Sequence, residues 1–247
     1  MDIREIGNTT LASERRHWWI VTRFHYIDHA LRRLVADGGE AVSVIEFGCG
    51  TGQNLWYLRR ASPFRGFIAT VVGVEPSFPE NLALEWKLAE DRIVKEQPGD
   101  SDFDFLLAAD VLEHVEEDAA ALAAWTESLK PGGLVLLTVP AFTFLWSGHD
   151  DYLEHKRRYT RKQLDRLAAS QGLCRVKSAY VFSFIFPLVV LIRKVLRRNA
   201  RQSGLSRPPP FANRVLKGLG RIEAAFGGCP WFGSSVAGLY RKPAQRR

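Results

Sequence analysis

The chain of 247 residues has only three cysteines, Cys49, Cys174 and Cys229. They share no metal-ligand spacing, and one is left over if two pair. This excludes a disulfide framework and leads us to expect a reducing compartment. It also lacks a run of about 20 apolar residues, the length needed to span a bilayer as a helix. The first residues, Met1 to Glu5, lack the apolar core of a signal peptide, so we expect a cytoplasmic protein. One further lack is local: residues 193–222 hold no acidic side chain but nine basic ones, Arg193, Lys194, Arg197, Arg198, Arg201, Arg207, Arg214, Lys217 and Arg221. The net charge of +7 therefore sits on one segment, and the remainder of the chain sums to −2.

What is present is an ordinary globular composition, 46% hydrophobic and 25% charged, enough for an extensive core. Apolar spacing predicts a helix over 10–36. Short apolar runs at 42–47, 69–74, 103–109 and 134–139 read as buried strands, separated by helical patterns at 54–60 and 118–129. Thr160 and Gln163 have the form of a capping box opening a helix that runs to Ser170. This alternation implies an α/β fold built on a doubly wound, mostly parallel sheet. Residues 235–242 read as a closing strand, and we divide the chain into an N-terminal helical lid (1–38), a core (39–183), a basic and partly apolar helical insertion (184–232), and a closing strand with tail (233–247).

Glycines in Glu46-Phe47-Gly48-Cys49-Gly50-Thr51-Gly52 fall where a strand turns into a helix. Such a turn lets a ligand approach the backbone and leaves amides free at a helix start. By itself it could also serve a dinucleotide, or nothing at all. The next strand ends at Glu75, followed by Pro76, 23 positions after Gly52; a carboxylate there can accept from both hydroxyls of an adenosine ribose. The turn lacks the third glycine of G-x-G-x-x-G.

With Asp104 to His114 (DFLLAADVLEH) and Leu129-Lys130-Pro131-Gly132-Gly133, four stations stand in order across about residues 40–140. The chain resembles the class I S-adenosylmethionine (SAM)-dependent methyltransferases, in the subgroup that includes small-molecule and ubiquinone-type O-methyltransferases. The resemblance implies a Rossmann-like, seven-stranded sheet with an antiparallel last strand and SAM as cofactor. Gly48, Gly50 and Gly52, with Glu46 and Cys49, would pass under the methionine part of SAM; Glu75 and Pro76 would lie at the ribose; Asp110, Val111 and Leu112 would border the cofactor. The chain departs from the family at Gln97-Pro98-Gly99-Asp100, where an acidic residue near the adenine amine has no clear match.

For proton removal the candidates are His114, just past the third apolar run, and His149. His114 has the alternative role of pinning a helix start. Asp110-x-x-Glu113-His114 also resembles the E-x-x-E-H divalent-metal cluster of some ubiquinone-pathway O-methyltransferases, but with Asp110 in place of glutamate we assign no metal. Trp146, Asp150, His155, Arg158 and Tyr159 form a dense loop suited to an acceptor bearing oxygen or phosphate groups, or simply to a solvated surface. Glu14 to Trp19 and Arg23 are lid candidates.

The apolar stretch Tyr180 to Ile192, followed by basic residues and later by Trp231 and Phe232, has the pattern of an interfacial helix attracted to an anionic membrane surface, or of a buried strand and helix with a solvated basic face. We therefore expect a small-molecule or lipid-linked acceptor and a protein peripheral to the inner face of the membrane. His17-Trp18-Trp19 and His155-x-x-Arg158-Tyr159-Thr160 also resemble methyltransferase-like proteins associated with bacterial cell-surface glycans. Two alternatives remain: an RNA methyltransferase, disfavoured because no N-P-P-Y-like motif follows the third run, and a non-catalytic SAM-binding protein at the membrane. The sequence leaves the oligomeric state open.

Overall fold

The computed structural model describes residues 14–38, 41–78, 91–99, 102–195 and 208–244. Asp100 and four of the basic residues, Arg197, Arg198, Arg201 and Arg207, lie outside the described residues, as does the start of the expected helix at 10–13. The described helix is α1 (Trp18–Ala36). There follow β1 (Val42–Phe47), α2 (Gln53–Arg60), β2 (Ile68–Val74), β3 (Arg92–Val94), β4 (Phe103–Ala109), α3 (Asp118–Glu127), β5 (Leu129–Pro140), α4 (Gly148–Tyr152), α5 (Arg161–Ser170), β6 (Cys174–Val181), α6 (Phe186–Val190), α7 (Pro210–Phe226) and β7 (Ser235–Arg241).

The sheet order is β3-β2-β1-β4-β5-β7-β6. All pairings through β5 are parallel, whereas β7 runs antiparallel to both β5 and β6. The central strands are buried on both faces, which is why they read as unbroken Val, Ile and Leu runs. One face is covered by α1, α2 and α7 through Phe24, Ile27, Leu31, Leu55, Leu58 and Ala224; the other by α3 and α5 through Leu122, Leu164 and Ala168. The architecture is thus a three-layer, Rossmann-like α/β fold.

Several boundaries differ from the expectations. The strand read as 134–139 extends back to Leu129 and carries Pro131-Gly132-Gly133 within it; Gly132 pairs its N–H with Lys242 O (2.9 Å). Tyr180 and Val181, read as the start of an interfacial apolar stretch, belong to β6, so only the part from Phe186 onward is a separate helix. The capping box at Thr160 forms, with Thr160 N donating to Gln163 Oε1 (2.7 Å) and Gln163 N to Thr160 Oγ1 (3.3 Å). The segment between β6 and β7 holds α6 and α7, and α7 lies along α1. There Gly220 allows a close approach: a Cβ at that position would stand 2.0 Å from Thr22 Oγ1.

A glycine-turn cofactor site and a histidine–carboxylate cluster

At the C-terminal end of β1 the chain turns through three left-handed glycines, Gly48, Gly50 and Gly52, with φ of 63°, 53° and 73°. These values disfavour any residue with a Cβ. At Gly48 a Cβ would also meet Val111 Cγ2 at 2.5 Å, so the turn and the loop after β4 are in direct contact. Gly48 N is tied to Val74 O (2.8 Å), while Gly50 N donates to Glu75 Oε2 (3.0 Å). The acid at the end of β2 is therefore brought to the turn, and Pro76 follows it at the exposed edge. Cys49 lies under the turn; burial pushes its thiol far up, and its Sγ would be 2.6 Å from a Cβ at Gly73. Its side chain packs into the core beside Gly73 of β2 and Leu55 of α2.

Glu46 is buried. Its Oε1 accepts from Asn54 Nδ2 (2.5 Å), but among the described residues neither Oε2 nor Thr51 Oγ1 has a hydrogen-bond partner. Burial, against the opposing Asn54 bond, pushes the Glu46 carboxyl up to about 7. A buried, unpartnered carboxylate oxygen beside three bare backbone positions fits a cationic ligand that approaches closely. The residues present thus suit SAM: Glu46 and Thr51 supply unused polar atoms, Gly48, Gly50 and Gly52 the clearance, and Glu75 the ribose-binding carboxylate.

Residues 14–23 close over this turn. Glu14 Oε2 accepts from Gln53 Nε2 (3.0 Å), Arg15 Nε donates to Gln53 Oε1 (2.9 Å), and the Arg15 guanidinium lies 4.3 Å from the Trp56 ring centre. Arg23, which is buried, is committed to Asp110 through Nη2 and Oδ2. Asp110 sits just past β4 with φ of 57°, a strained value for a residue with a side chain, and also accepts from Thr138 Oγ1 (3.2 Å). Val111 borders the turn, whereas Leu112 is part of the core.

A second group forms beyond β4 and β5. Glu113 and His114 lie in one short turn; Glu113 is buried, and burial with the nearby Asp110 holds its carboxyl well above the usual range. His155 packs edge-on against His114, ring centres 4.7 Å apart, and its Nδ1 is 2.9 Å from Asp150 Oδ1. Asp150 is fully buried and acts as a hub. Ser147 N (2.9 Å), Ser147 Oγ (3.2 Å) and Arg158 Nε (2.7 Å) donate to it, and Arg193 Nη1 stands 3.7 Å away. Burial alone would raise its pKa, but the bonds from His155 and Arg158 outweigh burial and hold it well below the ordinary carboxylate value.

The loop residues named from sequence therefore separate into different positions. His114 and His155 meet. Arg158 is buried behind them, gripping Asp150 and Ala141 O (2.9 Å). Tyr159 is a core residue, its hydroxyl donating to Asp118 Oδ2 (2.8 Å), so it presents no group to an acceptor. Trp146 Nε1 donates to Asp151 Oδ1 (2.8 Å). His149 is half-buried on α4. Sequence reading missed three features: the unpartnered Glu113 Oε2 beside the histidines, the Arg23–Asp110 pair, and Arg193. Arg193, counted among the surface cations, instead bonds Leu145 O (2.7 Å) behind Asp150, and burial with the nearby Arg158 lowers its pKa to about 10. One ligand atom each of Glu113, His114 and His155 lies within 4.8 Å of the others, so this trio could also hold a divalent cation, although the sequence led us to assign no metal.

The family described as "Methyltransferase domain" matches residues 19–177, well over half of the chain. The chain belongs to this family. Its relatives place this methyltransferase domain among the class I SAM-dependent enzymes. It is 31% identical over 179 residues to an uncharacterized 37.1 kDa protein in transposon TN4556 of Streptomyces fradiae, covering 68% of the chain and 50% of that protein. It is 33% identical over 104 residues to a ubiquinone biosynthesis O-methyltransferase of Bradyrhizobium sp. (strain ORS 278), covering 38% of each. The chain thus matches half or less of the length of these curated relatives. By fold it is similar to Haemonchus contortus phosphoethanolamine N-methyltransferase 2 in complex with SAM (TM-score 0.54, 16% identity, 87% of this chain and 51% of that one). A SAM-dependent methyltransferase from Archaeoglobus fulgidus also matches (TM-score 0.50, 16% identity, 87% and 93%). At these identities the structural likeness concerns the fold. SAM is the cofactor of this family, and the glycine turn fits it.

Proposed function

We propose that the protein transfers the methyl group of SAM to an oxygen of a small, lipid-linked or glycan-linked acceptor presented at a membrane surface. The observation that carries the reading is the His155–Asp150 pair beside His114, on the loops beyond β4 and β5. Bound SAM supplies an activated methyl group for in-line displacement, which leaves the protein two tasks: alignment and proton removal. Glu75, Glu46 and the glycine turn would hold the cofactor, with Val111 and Asp110 at its border.

Asp150, kept ionised by His155 and Arg158, accepts from His155 Nδ1 and so fixes the tautomer that leaves Nε2 as the basic nitrogen. An acceptor hydroxyl at Nε2 would give up its proton there. This makes His155 the base in place of His114 and His149, the candidates from the sequence, with His114 packed against it and Arg158 as a positioning residue. The ubiquinone biosynthesis O-methyltransferases among the relatives support oxygen as the acceptor atom. The acid-free basic segment supports an anionic surface as the acceptor's location, with a phosphate-tracking role on RNA as the competing use of the same charge.

The test is labelled methyl transfer from SAM into fractionated lipids, glycans and RNA of the source cell. Label in a lipid or glycan fraction is expected; label in RNA alone overturns the acceptor assignment. In the same assay His155→Gln is expected to lower turnover by about 10²-fold or more, with SAM affinity unchanged by calorimetry. A second reading rests on the Glu113–His114–His155 convergence, in which Asp150 would orient a metal-bound His155. Loss of turnover on chelation and recovery with a divalent cation selects it; full activity in chelator keeps His155 as the base.

A further inference from the structure

Helix α7 is amphipathic in an unusual sense: its inner side is tightly engaged, and its outer side is apolar and uncovered. Inside, Gly220 and Ala224 are buried against α1. Asn213 Oδ1 accepts from Trp18 N (2.9 Å), and Asn213 Nδ2 donates to Arg16 O (2.9 Å). Glu223, the helix's single acid, is turned inward and accepts from the backbone N–H of Phe182 and of Ser183 (2.6 Å each). Outside, Phe211, Val215, Leu219, Ile222 and Phe226 recur every three or four residues and so share one face. All five are exposed, Phe211 by 78% and Phe226 by 80%. Isolated exposed apolar residues are common, but a stripe along a four-turn helix marks a contact surface.

Charge identifies what it contacts. Arg214, Lys217 and Arg221, at the same three-to-four spacing, line one flank of the stripe, and no outward-facing acid accompanies them. A second copy of the chain meeting this face across a two-fold axis would bring these cations together. A nucleic acid would have to lay its phosphates over phenylalanines. An anionic bilayer satisfies both parts, with headgroups at the arginines and acyl boundary at the stripe. Trp231, after α7, is also 77% exposed, and the neighbouring Phe232 stacks on Phe186 of α6 at 5.4 Å.

We propose that the outer face of α7 is the membrane-docking surface of this protein and that it takes an anionic lipid bilayer. The inference rests on the membrane-surface part of the proposed function, but it places the contact on α7 rather than on the apolar run before Arg193, whose guanidinium is used internally.

The test is flotation of the full chain with vesicles of phosphatidylcholine alone or with phosphatidylglycerol added. The wild type is expected to float with the anionic vesicles and much less with the neutral ones. Ile222→Glu/Phe226→Glu is expected to lose vesicle affinity by about tenfold or more, since two apolar side chains that would enter the bilayer are replaced by anions. The variant must still bind SAM as the wild type does, which establishes that it is folded. Should this folded variant float like the wild type, α7 is not the docking face, and the membrane reading survives. If the wild type floats with neither vesicle, both fail. A concentration-dependent dimer broken by the same substitutions, without flotation, identifies a second copy as the occupant and overturns the proposal.

Discussion

The two ends of the candidate site are built on opposite plans. Around the glycine turn, recognition is largely a matter of backbone, and polar atoms are left over: Glu46 Oε2 and Thr51 Oγ1 are buried without partners among the described residues. Around Asp150, recognition is a matter of side chains and nearly everything is matched, with His155, Arg158 and Ser147 all bonded to one carboxylate. A surface with spare buried polarity is completed by what binds to it. A saturated network instead holds its members at fixed angles before anything arrives. On this contrast a bound cofactor would stabilise the turn, whereas the network at Asp150 is held beforehand, with Glu113 Oε2 beside it still without a partner among the described residues.

The contrast is most exposed at its hub. Asp150→Ala strands the buried Arg158, and with it His155 and Arg193, so a loss of about 3–5 kcal/mol is expected in chemical denaturation. Addition of SAM should leave that loss largely in place, because the bonds of Asp150 go to Ser147, His155 and Arg158 and none to the glycine turn. Gly48→Ala comes next. The left-handed φ and the 2.5 Å approach to Val111 make the substitution strained, and a stability loss of about 1–3 kcal/mol with a large fall in SAM affinity is expected by calorimetry. An unaltered affinity there would remove the glycine turn from the cofactor site.

The smallest effect concerns Glu46. Its folded value, about 7, lies above the ordinary 4.5, so folding favours the protonated form. Its contribution to stability is fully present below about pH 4.5 and is lost as pH rises through 7. The wild type without SAM should therefore lose thermal stability relative to Glu46→Gln across that window. A cationic ligand favours the ionised form, so SAM should narrow the difference and release a proton near neutrality. No proton release in calorimetry with paired buffers would separate Glu46 from the ligand.

What could be read from the sequence follows the same division. A backbone that must pass through left-handed φ declares itself locally, so the turn at Gly48 to Gly52 and Glu75 were legible from spacing. Strands buried on both faces were legible as apolar runs, though the three residues of β3 are too few to show a pattern. The acceptor end was not legible in this way. Arg23 meets Asp110 across 87 positions, and Arg193 reaches Asp150 from a different segment; both pairings exist only after packing. A basic residue bound for such a network has no local mark to tell it from one in solvent, which is why Arg193 was counted with the surface cations. Tyr159 was misplaced for a related reason. Its hydroxyl suggested a polar loop, whereas the aromatic ring fills the core and the hydroxyl finds Asp118.

The manner in which α7 is fixed carries one further consequence. With Asn213 fastened to the start of α1 at one end and Glu223 to the start of the segment after β6 at the other, the helix cannot swing away on a flexible leash. A leashed helix would let the body tumble above a lipid surface and sample every heading. A helix fastened at both ends transmits its own orientation to the whole fold, so immersing its outer side would set a single tilt for the glycine turn and the His155 loop. The search for an acceptor would then be a two-dimensional one, made at constant height.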